Sequence, residues 1–524
     1  MKKIVFTTLV FLTANVLTAQ PVVEMKQGTD LKAPLGSNIT EMVGQDEESF
    51  YVRRGEKQWA CFIDKFDKKT LMAKKSTELK LLMPDEMFYE NVNEIDYELV
   101  KGQVIVVFDV FNKEKRKKVL YSVKIDKSGS LAKGGRNELG SIECKSGGAA
   151  SKTRYSCRFT PDKTKFVVLL SGDNKELEDG SITYFEAETQ KVLSTHALPK
   201  DNVGDIITGM TIDRVENNGD VAVHFTTGTE KTKNLKTYTA TLKEGNSAFD
   251  DVSDEGSFQD DTKVRYTPSE LRTKDKQVYA GMYYEKPTKE YNHKHPPAFT
   301  VGVYMGIIDL ASHKMTAENY KPLEEDAIKK LTYSVKEGNE EMLNVSDKHL
   351  ISKKLLSMGG NYYFIAEHQY TIVGEEKGPG GTPISKVVSI NRELIITQFD
   401  KEGTFQWQRI IPKYSKDDGD YDMIKKDGKL YFLYAEDAKN DGFDITGYTE
   451  PEKYEVTKDA GSNIVCTSID DMGTLTKQVI GQNKAKQFNY LPNNLNVYQD
   501  EAKTTMIVLF SNGLKARLGT ISIK

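Results

Sequence analysis

The chain has 524 residues, 38% of them hydrophobic and 29% charged, with a formal net charge of −4. That balance gives no support for nucleic-acid binding, which favours a clustered basic face, and no stretch is long and apolar enough to span a bilayer as a helix. Length alone would suggest several domains, but an even internal repetition argues for one closed ring.

In chain order, residues 1–19 read as a secretory signal: Lys2-Lys3, an apolar run over 4–12, and Thr18-Ala19 before Gln20. Removing it takes away Lys2 and Lys3 and leaves a net charge of −6. The first cysteine is Cys61, far from the cleavage position, so no lipid anchor is expected. Residues 20–524 are then expected to form one domain. Within it, eight short stretches rich in β-branched and aromatic residues recur at spacings of roughly 55–85 residues. They lie at 50–52, 104–108, 166–170, 221–225, 278–284, 362–366, 430–434 and 506–510. Each reads as a buried central strand.

After each of the first seven comes an apolar residue, a polar turn with Asp or Glu, and a second apolar residue. Three copies are sharp: Ile125-Asp126 to Gly129 and Leu131, Phe399-Asp400 to Gly403 and Phe405, and Ile469-Asp470 to Gly473 and Leu475. Looser copies centre on Asp67, Glu186, Glu244 and Asp309. Asp bonds to nearby backbone and Gly accepts positive φ, so these predict hairpin turns. Four antiparallel strands per unit make a β-propeller blade. The fold expected is all-β, a single propeller of eight four-stranded blades, with seven blades plus an extra hairpin as the alternative. The eighth unit offers 496–498, 506–510 and 518–523 and then stops. Its missing outer strand is expected from the mature N-terminus, around 22–25, which would hide two free strand edges.

The third repeat carries Arg158-Phe159-Thr160-Pro161-Asp162-Lys163, which resembles the turn before the central strand in TolB-like and WD40-like propeller repeats. Asp400 to Trp407 loosely resembles the Asp-box turn of sialidases, a structural hairpin. Both resemblances imply fold and not activity. Cys144 and Cys157 flank a Gly-Gly-Ala-Ala loop and are the candidate disulfide pair. Cys61 and Cys466 sit in strand patterns, as buried free thiols would.

Three insertions fall between the second and third strands of consecutive blades, at 285–297, 371–383 and 437–463. They should emerge on one face as a continuous raised patch. Tyr291, His293 and His295 in the first, and Phe443, Tyr448 and Tyr454 in the third, are candidate partner-binding residues, because aromatic side chains anchor interfaces at low entropic cost. The second is rich in Gly and Pro and reads as a segment that orders on contact. Between the fifth and sixth units, Leu323, Ala327, Ile328 and Leu331 recur at helical spacing and predict a short helix on the rim.

Catalytic and metal signatures are weak. His293 and His295, with His313 further on, fall short of a three-ligand zinc set. Asp418, Asp420 and Asp422 alternate like a calcium loop, but the glycine and the twelfth-position glutamate of that pattern are missing. There is no Gly-x-Ser-x-Gly elbow and no Walker loop. The expectation is therefore a non-enzyme with no cofactor and no metal. Composition and signal resemble exported proteins of Bacteroidota-type bacteria. That resemblance implies a periplasmic protein, since the chain ends in a strand pattern at 517–524 and not in the Ig-like tail of type 9 secretion cargo. The function expected is a protein-interaction module, with an outer-membrane protein as partner and a subunit role in a machine such as the type 9 translocon. A glycan- or small-ligand-binding propeller, or a propeller hydrolase, is the alternative.

Overall fold

The architecture is seen in a computed structural model, which describes residues 23–29, 38–55, 61–78, 92–112, 115–143, 154–171, 180–199, 201–202, 205–227, 236–246, 248–254, 262–273, 275–285, 302–310, 312, 314–324, 327, 331, 350–377, 383–413, 415–416, 421–446, 462–482, 489–491, 505–511 and 516–524. Its strands form eight antiparallel sheets, one per repeat. The chain is an eight-bladed, all-β propeller, and the seven-bladed alternative falls away.

The second strand of every blade contains the apolar stretch read from the sequence. In blade 2, Gln103–Asn112 is buried at seven consecutive positions. A strand between two blades has no solvent face, so its sequence is continuously apolar and does not alternate. Fourth strands are the outer ones: Ala73–Glu78 of blade 1 and Val192–Ala197 of blade 3 are mostly exposed. The first strands of neighbouring blades approach one another, as Asn38–Gln45 does Val92–Val100 and Val92–Val100 does Arg154–Phe159, which places them on the inside of the ring.

Closure follows the expected route. Val23–Gln27 pairs antiparallel with Ala516–Ile523, from Val23 opposite Ile523 to Gln27 opposite Gly519. Val23 and Met25 lie on the apolar cluster between blades 7 and 8. One detail differs. The first strand of blade 8 is Asn489–Leu491, set by its pairing with residues 509–511, whereas 496–498 lies outside the described residues.

The acidic turns bind their own backbone. Asp126 Oδ1 accepts from the amides of Ser128 and Ser130, at 2.8 and 3.1 Å. Asp400 and Asp470 repeat the pattern with Glu402 and Thr404, and with Met472 and Thr474. These turns also dock onto the preceding blade. Gly473 (φ +76°) lies against the Trp407 ring of blade 6, whose Nε1 donates to Asp471 O at 3.0 Å. Arg409 Nε donates to Gly473 O, also at 3.0 Å. In blade 5, Asn319 Nδ2 donates to Gly403 O of the blade 6 turn at 2.8 Å. The repeated motif thus joins blades as well as closing hairpins.

Ala327 and Leu331 are helical and buried, and they pack with Leu323 into the blade 5–6 core. Ile328 lies outside the described residues. No helix among the described residues is long and apolar enough to cross a membrane.

Candidate functional site: the insertion-bearing face

Antiparallel alternation sends every connection between second and third strands to one face of the ring and every acidic turn to the other. The insertions of blades 5, 6 and 7 therefore share a face. In blade 6 the insertion is not a loop. Its second and third strands run the full length of Asn361–Lys377 and Pro383–Phe399. Pairing continues from Gln369 opposite Asn391 to Lys377 opposite Pro383. These nine rungs make a two-stranded ribbon about 30 Å long at about 3.3 Å per residue. The Gly-Pro run that suggested a loop spans only 378–382, outside the described residues.

The ribbon is rooted in buried charge. Where it leaves the blade the ladder shifts register between Glu367 and Gln369. Glu367 is fully buried, with Lys353 Nζ at 2.7 Å and Lys413 Nζ at 2.5 Å. Next to it, His368 Nδ1 lies 2.9 Å from Glu393 Oε2, and Arg392 Nε lies 3.5 Å from Glu393 Oε1. Burial pushes the Glu393 carboxyl up, but the Arg392 charge and the His368 hydrogen bond outweigh it and hold it down at about 2. Buried charges persist only when paired, and removing one partner costs about 3–5 kcal/mol. The cluster therefore anchors the base of the ribbon to the blade.

Blade 7 is built alike at the same end. Lys477 Nζ is 2.7 Å from the buried Glu436 carboxylate and donates to Asn440 O at 2.7 Å. Asp437 caps the short 3-10 turn Ala438–Asn440 by accepting from Lys439 N. Phe443, a candidate partner contact, is half-buried against the clusters of blades 5–6 and 6–7. It holds the start of this insertion down on the ring. The other candidates, Tyr291, His293, His295, Tyr448 and Tyr454, lie outside the described residues, as do His313, Asp418, Asp420 and the signal at 1–19. Asp422 is buried at the start of the first strand of blade 7.

Of the expected disulfide pair, Cys157 is a free, fully buried thiol between blades 2 and 3, and Cys144 lies outside the described residues. Burial raises the Cys157 thiol well above its usual range and Cys466 to about 12. Sequence reading missed the charge cluster, although Glu367-His368 and Arg392-Glu393 stand out within apolar strands. It also missed a convergence of Asp213, His224 and Glu270, the group among the described residues that could hold a metal.

No protein-family model matches the chain, and no curated protein matches it either. Solved structures similar to it are propellers. The Dos1 propeller is 9% identical, with 95% of each chain covered and a TM-score of 0.40. The polysaccharide lyase Uly1 is 9% identical, covering 82% of this chain and 89% of that one, with a TM-score of 0.39. The β-propeller domain of the Trilobed protease from Pyrococcus furiosus is 10% identical, covering 76% and 89%, with a TM-score of 0.34. The strand pairing itself, not these distant likenesses, defines the chain as an eight-bladed β-propeller. A polysaccharide lyase and the propeller domain of a protease stand among these similar structures, at identities that leave the expectation of a non-enzyme unconfirmed and not refuted.

Proposed function

We propose that the chain is an exported propeller of a Bacteroidota-type cell envelope, and that its insertion-bearing face docks a protein partner. An outer-membrane protein is the partner expected, with the propeller as an accessory or plug subunit of a machine such as the type 9 secretion translocon. The export reading rests on Lys2-Lys3, the apolar run over 4–12 and Thr18-Ala19.

The observation that carries the docking is the blade 6 ribbon. A two-stranded ribbon standing alone is marginally stable in water. Its outer edges present backbone N–H and C=O groups ready for another strand. Among the described residues the flanking strand is Ser415–Lys416, which pairs only with Ile390 and Asn391 at the base. A partner segment adding to the ribbon would use the backbone for affinity and alternate side chains for specificity.

The test is affinity capture of the tagged mature chain from its native envelope in mild detergent. A parallel chain has 371–389 replaced by a two-residue turn. Stoichiometric recovery of one outer-membrane protein by the intact chain, lost on trimming, supports the reading. Equal recovery by both chains removes the ribbon from it. Recovery of the propeller alone removes the machine-subunit role.

A further inference from the structure

We infer a divalent-cation site at the seam between blades 4 and 5, formed by Asp213, His224 and Glu270 and suited to a first-row ion such as zinc. Among the described residues, buried apolar clusters span the seams 1/2, 2/3, 3/4, 5/6, 6/7, 7/8 and 8/1. The 4/5 seam is built differently. Val278, Ala280 and Met282 of blade 5 face blade 6, so alternation turns Gln277, Tyr279 and Tyr283 toward blade 4. There a tyrosine cluster forms from Tyr279, Tyr283 and Tyr304 with Ile308. In blade 4, Val221, Val223 and Phe225 face blade 3, which turns His224 toward blade 5.

Three strands bring the ligands together: Asp213 from Asp205–Val215, His224 from Val221–Thr227, and Glu270 from Lys263–Arg272. The ligand atoms all lie within 4.8 Å of one another. His224 Nε2 is 3.9 Å from Asp213 Oδ1 and 3.8 Å from Glu270 Oε2. Those separations are too long for hydrogen bonds. They are close to the roughly 3.4 Å between ligands of a tetrahedral zinc with bonds of about 2.0–2.2 Å, so the side chains need close by no more than about 1.4 Å. Asp213 falls at the register shift between Ile212 and Arg214, the kind of bulge that re-aims a side chain. Gln277 Nε2 donates to Glu270 Oε2 at 2.9 Å and orients that carboxylate as an outer-shell partner. The three side chains are 21–43% exposed, so an ion can enter and a water can complete the shell. One imidazole and two carboxylates match the ligand preferences of zinc. The bound ion would tie blade 4 to blade 5 where the seam is polar.

The experiment uses the untagged mature chain, stripped of metal and titrated with zinc chloride by calorimetry, with cobalt as a spectroscopic stand-in. The expected result is one zinc per chain, visible absorption from four-coordinate cobalt, and a melting temperature raised by zinc. Glu270→Gln, which keeps the shape of the side chain, and His224→Ala should each weaken zinc binding at least tenfold and abolish the thermal shift. A chain carrying both His293→Ala and His295→Ala should bind as the parent does. Absence of stoichiometric binding by the parent, retention by Glu270→Gln, or loss in the His293/His295 variant would each overturn the assignment.

Discussion

The docking of acidic turns onto the preceding blade can be isolated with two glycine substitutions. Gly473 and Gly428 both have positive φ, +76° and +72°. An alanine pays about 1–2 kcal/mol in that region whatever surrounds it. At Gly428 an added Cβ meets nothing within 4 Å, whereas at Gly473 it lies 2.9 and 3.0 Å from Cδ2 and Cε2 of Trp407. That ring is pinned by its bond to Asp471 O, so it cannot yield cheaply, and overpacking adds about 1–3 kcal/mol. Gly473→Ala should therefore cost about 2–5 kcal/mol and Gly428→Ala about 1–2 kcal/mol. Urea unfolding of the two variants compares them, with the slope checked to be unchanged. Adding Trp407→Leu should make Gly473→Ala cost no more than Gly428→Ala, because the clash is gone. Equal costs for the two glycine variants in the parent background would refute turn docking as a blade-to-blade contact.

Starting the chain at residue 28 should lower the urea midpoint by removing the closing strand, and a peptide of residues 20–29 added in trans should restore it; an unchanged midpoint would mean closure is not made by Val23–Gln27. Lys413→Met leaves Glu367 short of a buried partner and should cost about 3–5 kcal/mol, much of it recovered by adding Glu367→Gln, as read by denaturant unfolding. Because the Glu393 carboxyl is held at about 2 when folded against 4.5 otherwise, its stabilisation is present above about pH 4.5 and is lost as pH falls toward 2. Acid unfolding of Glu393→Gln should show a shallower slope than the parent across that window. Cys157 and Cys466 should resist an aqueous thiol reagent in the native protein and react once it unfolds; a linked 144–157 peptide under non-reducing conditions would show the bridge instead.

The parts legible in the sequence are those whose physics is local. Second strands stand out because burial on both faces forces runs such as Val104 to Phe108. The turns at Asp126, Asp400 and Asp470 stand out because each carboxylate bonds amides two and four residues ahead. What was hidden depends on distant partners. Asn489–Leu491 is a strand because residues 509–511 lie beside it, not through any pattern of its own. The ribbon carries the β-branched runs Thr371-Ile372-Val373 and Val387-Val388 of a strand pair, but Pro379 and the glycines around it also fit a loop, and only the pairing between the two strands decides between them. Glu367 sits in an apolar strand because Lys353 of the strand Leu350–Met358 and Lys413, two residues past the strand Phe405–Ile411, pair with it. The Asp213, His224 and Glu270 group has no spacing motif, since two blades supply it.

Site-specific photocrosslinking in the native envelope tests which face of the propeller docks the partner. A photoreactive residue would be placed at Thr371 or Val373 on the ribbon, and at Lys127 or Lys401 on the acidic turns of the opposite face. Docking through the ribbon predicts a single discrete protein adduct from the ribbon positions and none from the turns. Adducts formed from the turns, or none from the ribbon, would contradict it.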